Sequence, residues 1–121
     1  TVGEWQEWGD PITDPAVFAA MRAYTPYENV PEGVALPAVM ATTSLNDTRV
    51  EFVEPAKWVQ RLREASGAAG RGGEAGPAGG RPVVLRTEMV AGHAGPSGRE
   101  GRWAARAEEF AFALGQVGVA Q

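Results

Sequence analysis

Three segments of the chain carry apolar residues at the spacing of a helix. The first starts at Asp14, which is typical of an N-cap and is followed by proline. It is expected to end near Tyr24, because Pro26 disfavours helical geometry at the residue before it. The second starts at Pro55 and the third spans about 103–114. The predicted apolar faces consist of Val17, Phe18, Met21 and Tyr24 in the first helix, Trp58, Val59 and Leu62 in the second, and Trp103, Ala107, Phe110, Ala111 and Leu114 in the third. The faces of the second and third helices are expected to lie in the core.

Two apolar segments predict strands. Residues 34–43 (VALPAVMATT) form an apolar run without polar alternation, which favours a strand buried on both faces. Pairing is expected to begin after Pro37, because a central strand tolerates proline poorly. Residues 83–89 (VVLRTEM) predict the second strand. The predicted order of elements is therefore helix, strand, helix, strand, helix.

Four segments predict loops. Residues 1–13 mix tryptophan and acidic residues with glycine and proline, and they predict a structured loop. Residues 44–49 (SLNDTR) are polar, and residues 91–99 (AGHAGPSGR) are rich in glycine. Residues 67–82 hold seven of the 16 glycines, a composition that buries too little apolar surface to offset its conformational entropy. We expect a flexible loop there.

The order of these elements predicts an α/β fold. A strand, a crossover helix and a second strand form a right-handed unit whose strands are parallel and usually adjacent. The loops at 44–49 and 91–99 then leave the sheet at the same edge, which is where open α/β sheets bind ligands. Neighbouring strands lie about 4.8 Å apart, so Asp47 and His93 can reach hydrogen-bonding distance.

Composition narrows the classes of function. The 121 residues include 11 basic and 15 acidic side chains, one histidine and no cysteine. Without cysteine, disulfide scaffolds, thiol nucleophiles and thiolate metal sites are excluded, and a single histidine excludes histidine-rich zinc and haem sites. A net charge of -4 without a basic run argues against nucleic acid or an anionic membrane as partner. No apolar run approaches the roughly 20 residues of a membrane span. We expect no metal and no cofactor.

Asp47 and His93 follow the chain order of the last two members of a hydrolase triad. A carboxylate bonded to an imidazole fixes its tautomer and stabilises the imidazolium that forms when histidine takes a proton from a nucleophile. In α/β-hydrolases the order is serine, acid, histidine, with the serine in a G-x-S-x-G turn. No G-x-S-x-G occurs in this chain, so a nucleophile would have to lie upstream of Thr1.

The same residues have less specific interpretations when each is taken alone. A lone histidine in a glycine-rich loop is more often structural or merely exposed, and Asp47 suits a turn or a helix cap. Residues 46–48 also spell a glycosylation sequon, which we treat as accidental. Glu4 and Glu7 would ordinarily be solvated carboxylates, and Arg49 an ordinary loop cation.

Four longer stretches carry a family resemblance. They are VGEWQEWGDP at 2–11, YTPYENV at 24–30, SLNDTRVEFVEPAKWVQRLRE at 44–64 and AGHAGPSGR at 91–99. In these stretches the chain resembles the C-terminal part of the catalytic domain of the prolyl oligopeptidase family of serine peptidases, most closely its oligopeptidase B branch. The resemblance covers nearly the whole chain, with the glycine-rich segment as an apparent insertion.

The resemblance implies roles for five residues. Asp47 would be the acid and His93 the general base of a Ser, His, Asp triad. Arg49 matches an arginine that contacts a backbone carbonyl of the substrate in prolyl oligopeptidase. Glu4 matches the first of two glutamates by which oligopeptidase B holds a basic side chain, and Gln6 stands at the position of the second. A neutral amide adds no charge, so a weaker preference for arginine or lysine is expected.

The resemblance also implies a context for the chain. Residues 1–121 would be part of a cytoplasmic α/β-hydrolase domain that cleaves short peptides after arginine or lysine. The half of the domain with the nucleophile, and a β-propeller domain, would lie elsewhere in a longer parent, which suits a chain that opens at Thr1 without methionine. Alone, the chain is expected to be inactive. Two alternatives stay open: an esterase or aminoacyl-releasing hydrolase of the same fold, and a non-catalytic binding or assembly module with an exposed strand edge.

Overall fold

The computed structural model describes residues 2–32, 34–66 and 81–118. The glycine-rich loop predicted over 67–82 lies outside these residues apart from its last two. The chain divides into two compact units, Thr1–Pro31 and Glu32–Gln121. In chain order the elements are a 3₁₀ helix at Val2–Glu4, α1 at Trp5–Trp8, α2 at Pro15–Arg22, β1 at Val39–Ser44, α3 at Val53–Ala65, β2 at Val83–Glu88 and α4 at Arg99–Gln116.

The first unit begins with helical turns, so the loop predicted for residues 1–13 is wrong in its first part. The 3₁₀ helix and α1 have three and four residues, which is too short for an apolar periodicity to show in the sequence. α1 ends at Gly9, whose φ of +88° lies in the region that favours glycine. A Cβ at this position would also lie 2.9 Å from the side chain of Val17.

Helix α2 has the N-terminus that the sequence predicts. The carboxylate of Asp14 accepts a hydrogen bond from the backbone N–H of Ala16 at 2.8 Å. Pro15 occupies the first helical position, where a backbone N–H would have no partner within the helix. The helix ends at Arg22, and the side-chain amide of Asn29 donates to the carbonyl of that residue at 2.8 Å. The predicted helix is confirmed, with its end two residues before Tyr24.

The second unit is built on two parallel strands, β1 and β2. Their register runs from Val39 opposite Val83 to Ser44 opposite Glu88. Helix α3 lies between the two strands in the chain and packs against both. The predicted α/β arrangement of parallel neighbouring strands is confirmed, and both strands end at the same edge of the sheet.

Strand β1 is shorter and more exposed than the sequence predicts. It begins at Val39, which confirms that pairing starts only after Pro37. The prediction that residues 34–43 are buried on both faces is wrong. Thr42 is exposed, and Ser44 is the buried residue of the strand. Helix α3 packs against both strands. Thr42 instead lines an open cavity together with Ala105 and Glu109 of α4.

The buried core of the second unit lies between α3 and β2. Val59 and Leu62 of α3 expose 1% and 5% of their surface, and Val83 of β2 exposes 7%. The predicted apolar face of α3 is therefore confirmed for these two residues, and Trp58 is half-buried. The helix begins at Val53, two residues before the predicted start.

Helix α4 exposes the apolar face that the sequence assigns to the core. The helix starts at Arg99, four residues before the predicted start. Trp103, Phe110 and Leu114 expose 63%, 60% and 48% of their surface, whereas Ala105 is half-buried. The assignment of this face to the core is wrong for the described structure. An apolar periodicity shows which face of a helix favours burial but not which face meets the sheet.

The packing of α3 predicts unequal effects for two identical substitutions. Leu62→Ala is expected to lower the free energy of unfolding by about 2 to 5 kcal/mol, because truncation leaves a cavity in the core. Leu114→Ala is the matched control at an exposed position of α4, with an expected cost of about 0.5 kcal/mol or less. Urea unfolding monitored by circular dichroism measures both. Equal losses would contradict the core described for the second unit.

Candidate active site

Asp47 and His93 meet at the edge of the sheet where both strands end. Asp47 lies three residues after β1, and His93 lies five residues after β2. The Nδ1 atom of His93 is 2.9 Å from Oδ2 of Asp47 and 3.1 Å from Oδ1. The structure thus brings together the two side chains that the parallel order of the strands makes neighbours.

The carboxylate of Asp47 is held by its own loop. Its Oδ1 atom accepts hydrogen bonds from the backbone N–H groups of Arg49 at 2.8 Å and Val50 at 2.9 Å. The bond from Val50 is the main cause that lowers the pKa of Asp47 below its usual value of 3.8. Burial opposes it, and the bonds from Arg49 and His93 lower the pKa further. The group is therefore ionised near neutral pH. The same carboxylate bonds its own loop and contacts the imidazole. Asp47 is therefore both a turn residue and the partner of His93.

The contact between the two side chains decides where the imidazole carries its proton. An ionised carboxylate can only accept hydrogen bonds, so Nδ1 of His93 must be the donor. In the neutral ring Nε2 is then unprotonated and can act as a general base. When Nε2 takes up a proton, the adjacent carboxylate of Asp47 stabilises the imidazolium. The pair has the chemical properties of the acid and base of a triad.

Side chains at the ends of the strands hold the segment that carries the histidine. We call residues 89–93 the histidine loop. The hydroxyl of Ser44 donates to the carbonyl of Ala91, and the side-chain amide of Asn46 donates to the carbonyls of the first two loop residues at 3.2 and 3.0 Å. The carboxylate of Glu88 accepts from the N–H of the second loop residue at 3.1 Å. Sequence reasoning missed these residues as functional, although Ser44 and Asn46 lie in the predicted polar loop 44–49 and Glu88 lies near the end of the predicted second strand.

The imidazole is reachable from an open cavity of about 410 Å³. The side chain of His93 is 49% exposed, whereas that of Asp47 is only 10% exposed. The carboxylate is thus shielded from solvent, and the imidazole is available to a reacting group. The cavity is lined by, among others, Thr42, Ser44, Asp47, Arg86, Glu88, His93, Ala105 and Glu109.

Of the remaining residues singled out from the sequence, Arg49 lies in the second unit, and Glu4 and Gln6 lie in the first. Arg49 is exposed in the loop of Asp47 and contacts that carboxylate through its backbone. Glu4 ends the 3₁₀ helix and Gln6 lies in α1, and both are exposed residues of the first unit. Substrate contacts of these three side chains stay predictions.

Within residues 2–32, 34–66 and 81–118, no group of three or more histidine, cysteine, aspartate or glutamate side chains could hold a metal ion. In the same part of the chain, none of the helices combines the length and the apolar character needed to cross a membrane.

An acid and a histidine at the carboxyl ends of neighbouring parallel strands define the chain as part of an α/β-hydrolase domain. Residues 1–120 match the family model of the prolyl oligopeptidase family. The chain belongs to this family, whose members are serine peptidases.

Two curated relatives and one solved structure illustrate the similarity. The chain is 42% identical over 120 residues to dipeptidyl aminopeptidase BI of Pseudoxanthomonas mexicana, and the match covers 99% of this chain. It is 42% identical over 119 residues, 98% of its length, to protease 2 of Moraxella lacunata. It also matches the structure of oligopeptidase B from Leishmania major with a TM-score of 0.76 and 32% identity, over 96% of this chain and 14% of the other. The chain spans 15% of the length of each of the two curated relatives.

The hydrogen bonds to Asp47 predict how the stability of the chain depends on pH. Since the pKa of the folded carboxyl lies below its usual value of 3.8, the charged form stabilises the fold. This contribution is complete above the unfolded pKa and is lost as the pH falls through the lower pKa of the folded state. The expected result is that Asp47→Asn costs stability near neutral pH and that the difference from wild type shrinks below about pH 4.

Urea unfolding at a series of pH values measures this difference. Thr48→Ala is the control, because it alters an exposed residue of the same loop without removing a carboxylate. If the difference between wild type and Asp47→Asn were the same at every pH, the hydrogen bonds described for this carboxylate would not stabilise the fold.

Proposed function

We propose that this chain supplies the acid and the general base of a serine peptidase that hydrolyses peptide bonds in short peptides. Asp47 is the acid and His93 the base, and the nucleophilic serine belongs to another segment of a longer protein, the complete peptidase. The observation that carries the proposal is the contact of 2.9 Å between the two side chains at the shared edge of parallel strands, in a member of the prolyl oligopeptidase family.

The geometry supports a two-stage reaction. In the first stage Nε2 of His93 takes the proton of the serine hydroxyl while the serine oxygen attacks the scissile carbonyl carbon. The carboxylate of Asp47 stabilises the resulting imidazolium, which then gives its proton to the leaving amine as the peptide C–N bond breaks. In the second stage the imidazole activates water in the same way, and the water releases the acyl group and regenerates the serine.

The serines of this chain support a nucleophile from elsewhere. None of the three lies in a G-x-S-x-G turn. Ser44 is buried and donates its hydroxyl hydrogen to the carbonyl of Ala91, and Ser66 donates to the carbonyl of Arg63. We therefore propose that the missing half of the hydrolase domain brings the serine to the cavity beside His93. A β-propeller domain of the complete peptidase would then restrict the site to short peptides.

The assignment predicts a graded loss of activity in the complete peptidase. His93→Ala is expected to lower kcat by about 10⁶-fold and Asp47→Asn by about 10⁴-fold, because the first removes the base and the second only its orienting charge. Ser97→Ala should keep wild-type kcat, since the nucleophile lies outside this chain. The isolated chain should show no turnover. The activity of the three variants and of the isolated chain is measured by hydrolysis of a fluorogenic peptide with arginine before the cleaved bond.

Two results would contradict the proposal. Near-normal kcat in His93→Ala would remove the base from its assigned role. Turnover by the isolated chain that is lost on His93→Ala would show that a nucleophile is present within these residues.

Substrate tests with the complete protein separate the two alternative functions. Hydrolysis of simple esters without peptide cleavage would favour the esterase alternative, and hydrolysis of neither esters nor peptides would favour a binding module.

We further propose that cleavage follows arginine or lysine and that Glu4 supplies the charge that selects them. Glu4 and Gln6 are exposed on the first helical turns of the chain, and a carboxylate bonds a guanidinium more strongly than an amide does. The match of both positions to the glutamate pair of oligopeptidase B supports this proposal. The amide of Gln6 makes the preference weaker than two carboxylates would.

This proposal predicts opposite effects for two single substitutions in the complete peptidase. Gln6→Glu is expected to raise the ratio of kcat/KM for an arginine substrate to that for a phenylalanine substrate by about tenfold, and Glu4→Gln to lower it by a similar factor. Glu28→Gln, an exposed carboxylate of the same unit, is the control. An unchanged ratio in both variants would show that neither residue selects the substrate.

A second candidate function is removal of dipeptides from free amino termini. It is favoured by the 42% identity to a relative named dipeptidyl aminopeptidase BI. The two functions share the triad but differ in what binds the substrate's amino end. Fluorogenic peptides with free and with blocked amino termini separate them, because an endopeptidase accepts both and a dipeptidyl aminopeptidase accepts only the free form.

A further inference from the structure

Three side chains outside the proposed triad bond the histidine loop, residues 89–93. Ser44 donates to the carbonyl of Ala91, and Asn46 and Glu88 hold the start of the loop. Asn46 donates its side-chain amide to the carbonyls of Met89 and Val90 at 3.2 and 3.0 Å. Glu88 accepts from the N–H groups of Val90 at 3.1 Å and, at the limit of a hydrogen bond, Ala91 at 3.5 Å. Val90 is thus held from both sides, through its carbonyl and through its N–H.

Glu88 is itself fixed by charge. Its side chain is 19% exposed, and its Oε2 atom lies 3.3 Å from the guanidinium of Arg86. The same guanidinium bonds Glu108 of α4 at 2.8 Å. The N–H groups of the loop and then Arg86 lower the pKa of Glu88, so it is an ionised acceptor near neutral pH. A charged acceptor makes stronger hydrogen bonds than a neutral one.

Asp47 and His93 are held in place by different contacts. The carboxylate of Asp47 is held by N–H groups of its own loop, so its position does not depend on His93. The imidazole follows a segment without regular secondary structure, and Gly92 precedes it directly. The position of the ring therefore depends on what holds residues 89–91. Asn46 and Glu88 do so from the ends of the two strands.

We propose that Asn46 and Glu88 are positioning residues for His93. Their side chains bond the backbone of the histidine loop, and they act by holding that loop so that Nδ1 meets the carboxylate of Asp47. This inference rests on the proposed function, because it assigns a catalytic consequence to the placement of the base. A misplacement of about 1 Å in a catalytic group can cost 100-fold in rate.

The test is made in the complete peptidase, with kcat and KM measured separately across the pH range. Asn46→Ala and Glu88→Ala are each expected to lower kcat by about 10- to 100-fold while KM changes little. The acid limb of the kcat/KM profile should move to lower pH, because a looser contact with Asp47 stabilises the imidazolium less. Asn46→Ala removes no charged group, so a shift of the acid limb in this variant reports the position of the imidazole and not a lost charge.

Conservative variants and controls make the result specific. Glu88→Gln keeps an acceptor oxygen for the loop N–H groups and is expected to recover most of the lost kcat. Thr48→Ala and Glu100→Gln, two exposed residues outside these contacts, should match wild type. Where Asn46→Ala does not melt cooperatively, Asn46→Gln replaces it, because one added methylene displaces the amide and should lower kcat in the same way.

The outcomes separate this inference from the proposed function. If His93→Ala keeps near-normal activity, the proposed function fails before positioning is at issue. If His93→Ala abolishes activity while folded Asn46 and Glu88 variants keep wild-type kcat and an unmoved acid limb, the positioning role is overturned and the triad stands. If folded Glu88→Gln and Glu88→Ala both lose kcat while folded Asn46→Ala keeps wild-type kcat, the effect comes from the charge of Glu88 and not from the position of the loop, which overturns the inference.

Discussion

The parallel pairing of β1 with β2 is the constraint on which the site depends. The register continues through Ser44 opposite Glu88, so the two strands leave the sheet at the same level and on the same edge. Aspartate and histidine side chains are short, and they meet at 2.9 Å only because the backbones that carry them start side by side. Helix α3 supports the pairing by burying Val59 and Leu62, and the guanidinium of Arg63 donates to the carbonyl of Val83 at 2.9 Å.

The two partners of the site are held in different ways, and the difference follows from their distances to the strands. Asp47 comes three residues after β1, and the turn there closes on its own carboxylate. His93 comes five residues after β2, too far for the strand to position it directly. Its loop is instead bonded to Ser44, Asn46 and Glu88, so side chains at the ends of both strands hold the segment that carries His93.

Membership of the prolyl oligopeptidase family and the geometry of the pair address different questions. The family match over residues 1–120 shows the kind of domain to which the chain belongs. The contact between Asp47 and His93 shows that two reactive groups can be assembled by the local fold of the second unit. Helix α4 shows the same distinction. Its sequence contains an apolar face that favours burial, but that face is exposed in the described structure.

The sequence by itself determined the elements whose causes are local. The N-cap at Asp14, the start of pairing after Pro37 and the buried stripe of α3 depend on neighbours within a few residues, and they were predictable for that reason. The juxtaposition of Asp47 with His93 also followed, because a strand, helix, strand order leaves few arrangements. Only the tertiary structure decided which face of α4 is exposed and which side chains hold the histidine loop. Both outcomes involve contacts between elements that are distant in the chain, such as Asn46 with Val90 and Arg86 with Glu108, which the spacing of residues within one element does not specify.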